Sequence, residues 1–424
     1  MAKAGHGGMR RVDLKHTKLA SSQTARGINR DILLEIIRTN QPISRADLSR
    51  RSGLQRSTVS QIVEQLIEER WVREGAMAHL PRGRRPTLVG LNSDLVVIAA
   101  DLHPQQATAA VVDLQGRLIS RIQVPLGSDP HAAIRRLIAG MRELRTSHPD
   151  KSFEGVGISV PGRVDSKTRQ LIFAPNLKWG DFDIKATVER AMELPVEMEN
   201  AANACLLAEL WFERMDGIRN AVLLTVAEGI GGAILANGNV IRGQNGLAGE
   251  FGHVSLDPSG PRCGCGQSGC LEVFASCRAA LRYYAESSNG GSAALSFHQL
   301  LARAEEGDPR ALDAIRRQAE YLARGLQLVI AALSPEVILL AGDITSAWRH
   351  YGPPIEKRIK SLARAGTPPR VLPTHQGEIA RLRGAAAVML QRHSRLGERP
   401  VSPAAENRTM SDANGSSVIR AASV

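Results

Sequence analysis

Three cysteines and a histidine stand in the sequence at a spacing that suits a metal ion. Cys263, Cys265 and Cys270 fall within the stretch CGCGQSGC, whose glycines let the backbone fold around a small centre. His253, ten residues before the first cysteine, is the nearest good fourth ligand. Structural zinc prefers four tetrahedral nitrogen and sulfur ligands, so this pattern predicts one structural zinc ion per chain.

Two other chemistries fit these cysteines less well. A disulfide between Cys263 and Cys265 would be strained by the single residue between them. A redox pair usually has the pattern C-x-x-C beside a helix. The remaining cysteines, Cys205 and Cys277, have the pattern of buried helical residues without a chemical role.

The start of the chain shows no targeting signal. The N-terminal MAKAGHGGMRR has no apolar signal core, and no run of about 18 uncharged apolar residues occurs. We therefore expect a cytoplasmic protein that keeps its thiols reduced and has no membrane partner. Its 424 residues, 43% of them hydrophobic, are enough for two or three globular domains.

Positive charge is concentrated at the beginning of the chain. Residues 1–90 hold 17 Lys and Arg against 8 Asp and Glu, an excess of nine out of a net charge of +12. Such a basic segment suggests a polyanionic partner, most simply DNA. The alternative is a solvated charged tail.

The basic segment contains the pattern of a helix-turn-helix. Apolar residues at helical spacing predict a helix over 28–37, which Pro42 ends. A second helix follows Ser44 as its N-cap, with Asp47 in its first turn, and Gly53 supplies a tight turn into a third helix. The second helix of such a pair enters the major groove by its N-terminal end. Polar side chains that can bind phosphates or base edges crowd that end: Gln55, Arg56, Ser57, Thr58, Ser60 and Gln61.

The next stretch, WVREGAMAHLPRGRRPTLVGLN, predicts two short strands around a loop, the wing of a winged helix. Its tip carries Arg82, Arg84 and Arg85 around Gly83. An extended arginine-rich tip can enter a narrow minor groove. The alternative is a basic linker between domains that touches only phosphates.

The rest of the chain alternates strand meanders with helices, which predicts an α/β domain of two lobes. Its last strand is expected in EVILLAGDI. We therefore divide the chain into a flexible basic N-terminus (1–25), a winged helix-turn-helix DNA-binding domain (26–91), an effector domain (92–394) and a disordered tail (395–424).

The stretch GLAGEFGHVSLDPSGPRCGCGQSGCLE resembles the signature of the ROK family, which contains sugar kinases and sugar-responsive repressors. The upstream EGIGGAILANGNVIRGQNGLAGE also fits the family pattern, and the similarity runs from about residue 92 to 393. A winged helix before such a domain, with GRRP at the join, is the layout of ROK repressors. The resemblance implies an actin-like, two-lobed ATPase fold in which His253 and the three cysteines of CGCGQSGC bind zinc.

The resemblance also implies a set of sugar contacts. Carboxylates accept hydrogen bonds from sugar hydroxyls, often two at once. His253 would bind the sugar through one ring nitrogen and zinc through the other. The alternative is that these residues survive only as scaffold. The implied contacts are Asn200, Glu250, His253 and Glu272, with Asn176 nearby.

The catalytic parts of a ROK kinase are replaced. The Asp that acts as general base is Ala201 here, and Glu199 would point away from the substrate if it lay in the same helix. The phosphate-binding loops differ at three further places: Pro104 and Gln105–Gln106 follow Asp101, Glu228 stands in the glycine-rich turn, and Asp343 follows Gly342. Four departures in one reaction predict that the chain binds no ATP and is not an enzyme.

We therefore expect a transcriptional regulator, most simply a repressor, of sugar metabolism genes. A homo-oligomer, dimer or tetramer, would bind operator DNA, and a sugar or sugar phosphate between the lobes would change the placement of the DNA-binding domains. The base missing at Ala201 is also a sugar contact in the kinases, so the ligand can differ from theirs. The alternatives are an active ROK sugar kinase, and a regulator bound by a protein partner in place of a sugar.

Overall fold

The computed structural model describes residues 22–77, 87–103, 105–127, 129–165, 168–174, 177, 179, 182–213, 215, 217–287, 295–361, 367–374 and 377–393. The chain divides into two compact units, Met1–Asn92 and Ser93–Val424.

The first unit is three helices and a small antiparallel sheet. Its elements are α1 (Ser22–Asn40), β1 (Ile43–Ser44), α2 (Arg45–Ser52), α3 (Arg56–Glu68), β2 (Val72–Met77) and β3 (Thr87–Leu91). The strand order is β1-β3-β2, so β2 and β3 form the wing. The helix α1 includes Ser22, so it overlaps the expected flexible N-terminus by four residues.

The predicted signals position the helices of this unit. The Ser44 side chain accepts a hydrogen bond from the backbone N–H of Asp47 and so caps α2. Gly53 ends α2 in the left-handed region at φ 72°, which a residue with a Cβ adopts at a cost. Leu48 of α2 and Leu66 of α3 are buried in one core together with Val89 of β3. The predicted helix-turn-helix and wing are confirmed.

The second unit begins with a lobe built on a five-stranded sheet. This first lobe contains β4 (Leu95–Leu102), β5 (Gln106–Asp113), β6 (Leu118–Pro125), α4 (Pro130–Thr146), β7 (Ser152–Val160), β8 (Arg163–Val164), β9 (Leu171–Phe173), α5 (Ile184–Met192) and β10 (Val196–Asn200). Its sheet order is β10-β7-β4-β5-β6, with β5 and β6 antiparallel to β4, and β7 and β10 parallel to it. A core of alternate strand residues packs against α4 and α5.

A second lobe repeats the same sheet. The elements that follow β10 are α6 (Ala201–Phe212), β11 (Ala221–Val226), β12 (Ile230–Ala236), β13 (Asn239–Ile241), α7 (Leu271–Ala275), α8 (Cys277–Glu286), α9 (Phe297–Glu305), α10 (Pro309–Leu333), β14 (Val337–Gly342), α11 (Trp348–Lys360), β15 (Arg370–Pro373) and α12 (Gly377–Leu390). The sheet order β13-β12-β11-β14-β15 has the same connectivity and directions as that of the first lobe. Two such lobes are the predicted actin-like architecture.

Two helices connect the lobes. The chain leaves the first lobe through α6, and after β15 it returns through α12. These helices approach each other and the first sheet closely. A Cβ at Gly384 of α12 would collide with the backbone oxygen of Ala204 of α6. A Cβ at Gly157 of β7 would likewise collide with the backbone oxygen of Ala385. The hinge between the lobes is therefore a tightly packed helix pair.

The prediction that EVILLAGDI is the last strand is wrong. β15 follows it and pairs in parallel with β14 at the edge of the second sheet. This strand is four residues long and ends in Pro373, so its sequence carries almost no strand pattern.

Candidate functional site

The predicted metal ligands lie together at the surface of the second lobe. His253 ends a short 3₁₀ turn, and Cys270 immediately precedes α7. His253 Nδ1 is 3.6 Å from Cys263 Sγ, and Cys265 Sγ is 3.7 Å from Cys270 Sγ. One ligand atom from each of the four residues can be chosen so that all lie within 4.8 Å of one another.

This geometry fits zinc. A tetrahedral ion with bonds of about 2.3 Å to sulfur separates its ligand atoms by roughly 3.8 Å. The alternatives weighed from sequence fit less well, since all five cysteines are free thiols. Burial, followed by hydrogen bonding with Cys265, raises the pKa of Cys270 to about 12. A bound cation would reverse that shift, because it favours the thiolates.

Backbone hydrogen bonds shape the loop that carries the cysteines. The backbone N–H of Cys263 donates to the oxygen of Gln267 at 2.8 Å, and that of Gly269 donates to the oxygen of Pro261 at 2.8 Å. Gly269 has φ 69°, and a Cβ there would collide with the backbone oxygen of Asp257. The glycine at this position is therefore required for the loop to close.

Two predicted sugar contacts adjoin the cysteine cluster. His253 Nε2, the ring nitrogen that faces away from Cys263, lies 3.8 Å from Glu250 Oε2. Glu272 Oε2 accepts the backbone N–H of Ile230 at 3.0 Å, and Oε1 lies 3.7 Å from Arg278 Nη2. The structure thus brings Glu250, His253 and Glu272 to one loop region, with Glu272 already tied to the turn between β11 and β12.

Of the other two predicted sugar contacts, Asn200 is the one that the structure describes. Asn200 ends β10 in the first lobe and caps α6, because its Oδ1 accepts the backbone N–H of Asn203 at 2.8 Å. Asn176 lies outside the described residues.

The environment of the lost base differs from the expectation for Glu199. Ala201 is the first residue of α6, but Glu199 lies in β10 and is not helical. Burial alone would raise the pKa of Glu199, yet Arg242 and Arg169 outweigh it and hold that pKa below its ordinary value. A carboxylate neutralised in this way is a poor base, so Glu199 does not replace the missing Asp.

Asp101, which the resemblance places beside a phosphate loop of the kinases, forms an internal ion pair. Asp101 ends up buried near the end of β4, where its Oδ2 lies 2.8 Å from Arg381 Nε and 2.7 Å from His103 Nε2. Burial alone would raise the pKa of Asp101, but Arg381 and then His103 lower it. Asp101, the residue of the kinase loop pattern that this sequence keeps, is therefore bound by Arg381 of α12. Sequence reasoning missed Arg381, which is 280 residues away along the chain.

The other departures are placed as follows. Gln105 and Gln106 are exposed, and Pro104 lies outside the described residues. Glu228 is exposed in the turn between β11 and β12, where its backbone oxygen accepts a hydrogen bond from Arg278 Nε at 2.7 Å. Asp343 follows β14 and begins a 3₁₀ turn.

The candidate DNA-binding side chains occupy the start of α3. Gln55, Arg56, Ser57 and Gln61 are exposed, whereas Thr58 and Ser60 are half-buried. Within the described residues, Arg56 has no ion-pair partner, so its guanidinium is available to a phosphate or a base edge. The wing-tip residues Arg82, Arg84 and Arg85 lie outside the described residues.

Sequence reasoning did not single out Arg51, an exposed residue in the last turn of α2 beside the Gly53 turn. The pair of arginines in SRRSG was the available signal.

Among the helices that the structure describes, none is long and apolar enough to cross a membrane.

Comparisons with known proteins match a family profile to each of the two units. The family profile "ROK family" matches residues 97–392, and the profile "Winged helix-turn-helix DNA-binding" matches residues 26–73. The chain is 30% identical to the xylose repressor of Bacillus spizizenii over 379 residues, covering 88% of this chain and 97% of the relative.

Two solved structures represent the two functional alternatives, a transcriptional regulator and a sugar kinase. A ROK family transcriptional regulator, a homologue of the Escherichia coli MLC protein, matches with a TM-score of 0.74 and 27% identity, covering 87% of this chain and 97% of that one. A ROK family glucokinase from Streptomyces griseus, in complex with glucose and AMPPNP, matches with a TM-score of 0.64 and 30% identity. The match covers 99% of the glucokinase but only 70% of this chain.

Proposed function

The chain belongs to the ROK family, and we propose that it is a transcriptional repressor that binds operator DNA through its first unit and a sugar through its second. The observation that carries this proposal is the combination of a winged helix-turn-helix with a ROK unit in one chain. Ala201, where the family resemblance implies the catalytic base of the kinases, supports it. The similarity to repressors spans both units, whereas the similarity to the glucokinase spans 70% of the chain.

D-xylose is the first effector to test, because the relatives with which the chain shares its whole layout include xylose repressors. The pocket would use Glu250, His253, Glu272 and Asn200, with Asn176 nearby. A zinc ion held by His253 and the three cysteines would fix the ring orientation of His253, and its chemistry would be structural. The chain's own residues do the rest: Glu250 and Glu272 orient sugar hydroxyls.

DNA recognition would use α3 and the wing. The side chains at the start of α3 would contact base edges and phosphates, and Arg82, Arg84 and Arg85 would enter the minor groove. A homodimer would place two recognition helices on a two-fold operator, in the cytoplasm where the chromosome is accessible.

The test begins with selection of an operator from a random DNA pool by the full-length chain. Fluorescence anisotropy at fixed salt then compares the wild type with Arg56→Ala and with Arg316→Ala, a matched control on α10. We expect Arg56→Ala to weaken operator binding by about 5- to 150-fold, equivalent to about 1–3 kcal/mol, and Arg316→Ala to leave it unchanged. Equal operator affinity of all three proteins would contradict the proposal that α3 contacts the DNA.

A further inference from the structure

The carboxylate of Glu199 divides its two oxygens between two parts of the second unit. Oε1 accepts the backbone N–H of Asn200 at 3.0 Å and Nδ2 of Asn203 at 3.1 Å, so it holds the start of α6. Oε2 accepts hydrogen bonds from two arginines, from Arg169 Nη1 at 2.6 Å and from Arg242 Nε at 2.7 Å. The side chain is only 2% exposed, so these charge-assisted bonds are made away from water.

Arg242 brings the second lobe to this carboxylate. It follows β13 of the second sheet directly, whereas Glu199 lies in β10 of the first. The backbone oxygen of Arg242 accepts the N–H of Ala248 at 3.1 Å, which shapes the loop that leads to Glu250. The contact between Arg242 and Glu199 thus joins the lobe of Asn200 to the loop that carries Glu250.

Arg169 reaches the same oxygen from a turn that costs energy to form. Its φ is 57°, in the left-handed region where an arginine is disfavoured relative to glycine. The turn is closed by the N–H of Arg169 donating to the oxygen of Asp165 at 3.0 Å. An arginine in this conformation is explained by what its side chain does at Glu199.

The charges of this group are balanced only while its parts stay together. A buried carboxylate without its cations is strongly destabilising, so separating the lobes at this point is opposed until another contact compensates. Glu197 adds a weaker contact at 4.0 Å to Arg169 Nε. The group therefore favours one arrangement of β10, the 165–170 turn and the 242–250 loop.

We propose that Glu199, Arg169 and Arg242 form an interlobe latch that converts sugar occupancy into a defined arrangement of the two lobes. The three are positioning residues: Glu199 sets Asn200 at the start of α6, and Arg242 sets the loop of Glu250, so a sugar that contacts both sides acts on the latch. The latch rests on the proposed function, because it takes the sugar as the signal and operator binding as the response.

The test measures coupling with the full-length chain. Operator affinity is determined by anisotropy with and without D-xylose, with D-glucose as a second sugar, for the wild type and for Glu199→Gln, Arg242→Met and Arg242→Lys. The coupling is the ratio of the two operator dissociation constants. Allosteric factors of about 5–150-fold are usual, and we expect Glu199→Gln and Arg242→Met to reduce the factor to about one.

The conservative variant and a matched control separate a latch from a general loss of structure. Arg242→Lys keeps the positive charge, so it should regain part of the coupling that Arg242→Met loses. Arg316→Met removes an arginine that also bridges two carboxylates, Asp313 and Glu320, but on the exposed face of α10, and should couple like the wild type. Arg169→Met leaves Arg242 against Glu199, so it keeps the fold and should lower coupling in part.

Two results overturn different claims. Wild-type coupling in Glu199→Gln, Arg242→Met and Arg169→Met, at wild-type unfolding temperature and zinc content, overturns the latch alone. A wild-type chain that binds its operator but responds to neither sugar overturns the proposed sugar response, and the latch with it.

Discussion

The four ligand atoms of His253, Cys263, Cys265 and Cys270 lie within 4.8 Å of one another, close enough to share one tetrahedral ion. Cys270→Ser removes one thiolate from this set and weakens the hold on zinc, since serine is a far poorer zinc ligand. We expect elemental analysis to find one zinc per chain in the wild type and little or none in the variant. Its unfolding temperature should fall by roughly 5–10 °C, because binding energy at a structural site is folding energy.

The matched control for this metal prediction is Cys205→Ala. Cys205 is also buried but lies in α6, in another part of the unit. It should keep full zinc content with a modest loss of stability. Wild-type zinc in Cys270→Ser, or loss of zinc in both variants, would contradict the four-residue assignment.

Glu209 gives the molecule a pH dependence of its own. Burial, then Glu213, raises its pKa to about 7, and Arg383 only partly offsets this. The folded protein therefore favours the protonated form, so this stabilisation is complete below pH 4.5 and disappears as the pH rises through about 7. Glu209→Gln keeps the shape of the protonated side chain. We expect it to unfold at a higher temperature than the wild type at pH 8.5.

The difference between the two proteins is the measurement, because other groups titrate as well. The unfolding temperatures should lie closest together below pH 4.5, should diverge between pH 4.5 and about 7, and should keep a constant gap above that. Parallel pH profiles for Glu209→Gln and the wild type would show that Glu209 ionises without cost. Glu213→Gln changes the half-buried neighbour of Glu209 and should narrow the gap, since it removes the neighbouring negative charge.

At the level of elements, local patterns in the sequence predicted what they could encode. The helix-turn-helix follows from its stripe, its Ser44 cap and its Gly53 turn, all within a short stretch. The metal ligands follow likewise from spacing within one loop. What could not be predicted depends on distant residues: Arg381 meets Asp101 across 280 residues, and Arg242 meets Glu199 across 43. The strand position of Glu199 was missed because ENAANA has the composition of a helix.

The hinge pair α6 and α12 depends on two glycines where backbones meet. A Cβ at Gly384 would collide with the backbone oxygen of Ala204, which a rigid helix cannot move aside. Gly384→Ala should therefore destabilise the second unit by roughly 1–3 kcal/mol, although alanine is the better helix former in isolation. Denaturant unfolding measures the loss directly.

A glycine of the same unit provides the control for this packing prediction. A Cβ at Gly127 would meet only Arg136 Nη2, at an ordinary contact distance of 3.5 Å. Gly127→Ala should leave the denaturation midpoint near that of the wild type. Equal midpoints for Gly384→Ala and Gly127→Ala would mean that α6 and α12 are less closely packed than described.

The whole molecule has a two-lobed frame like that of the ROK kinases, and we propose, from the resemblance to them, that their reaction centre is missing on both sides. The sheets of the lobes share one order, so the frame that would close on a nucleotide persists. In the first lobe, however, Asp101 is bound by Arg381, and Ala201 stands where the kinases have their base. In the second lobe, Glu228 adds a negative charge at the turn where phosphates would lie. The frame without the chemistry suits a sensor.

Restoring the base alone should therefore not restore an enzyme. Ala201→Asp returns a carboxylate to the first position of α6, but the phosphate-loop departures and the Asp101–Arg381 ion pair remain. We expect ADP release from Mg-ATP to stay at background with D-glucose and D-xylose in a coupled assay, beside an active ROK glucokinase as positive control. Turnover above background that Glu250→Ala abolishes would show that one substitution separates this regulator from a kinase, and that the ion pair does not keep nucleotide out.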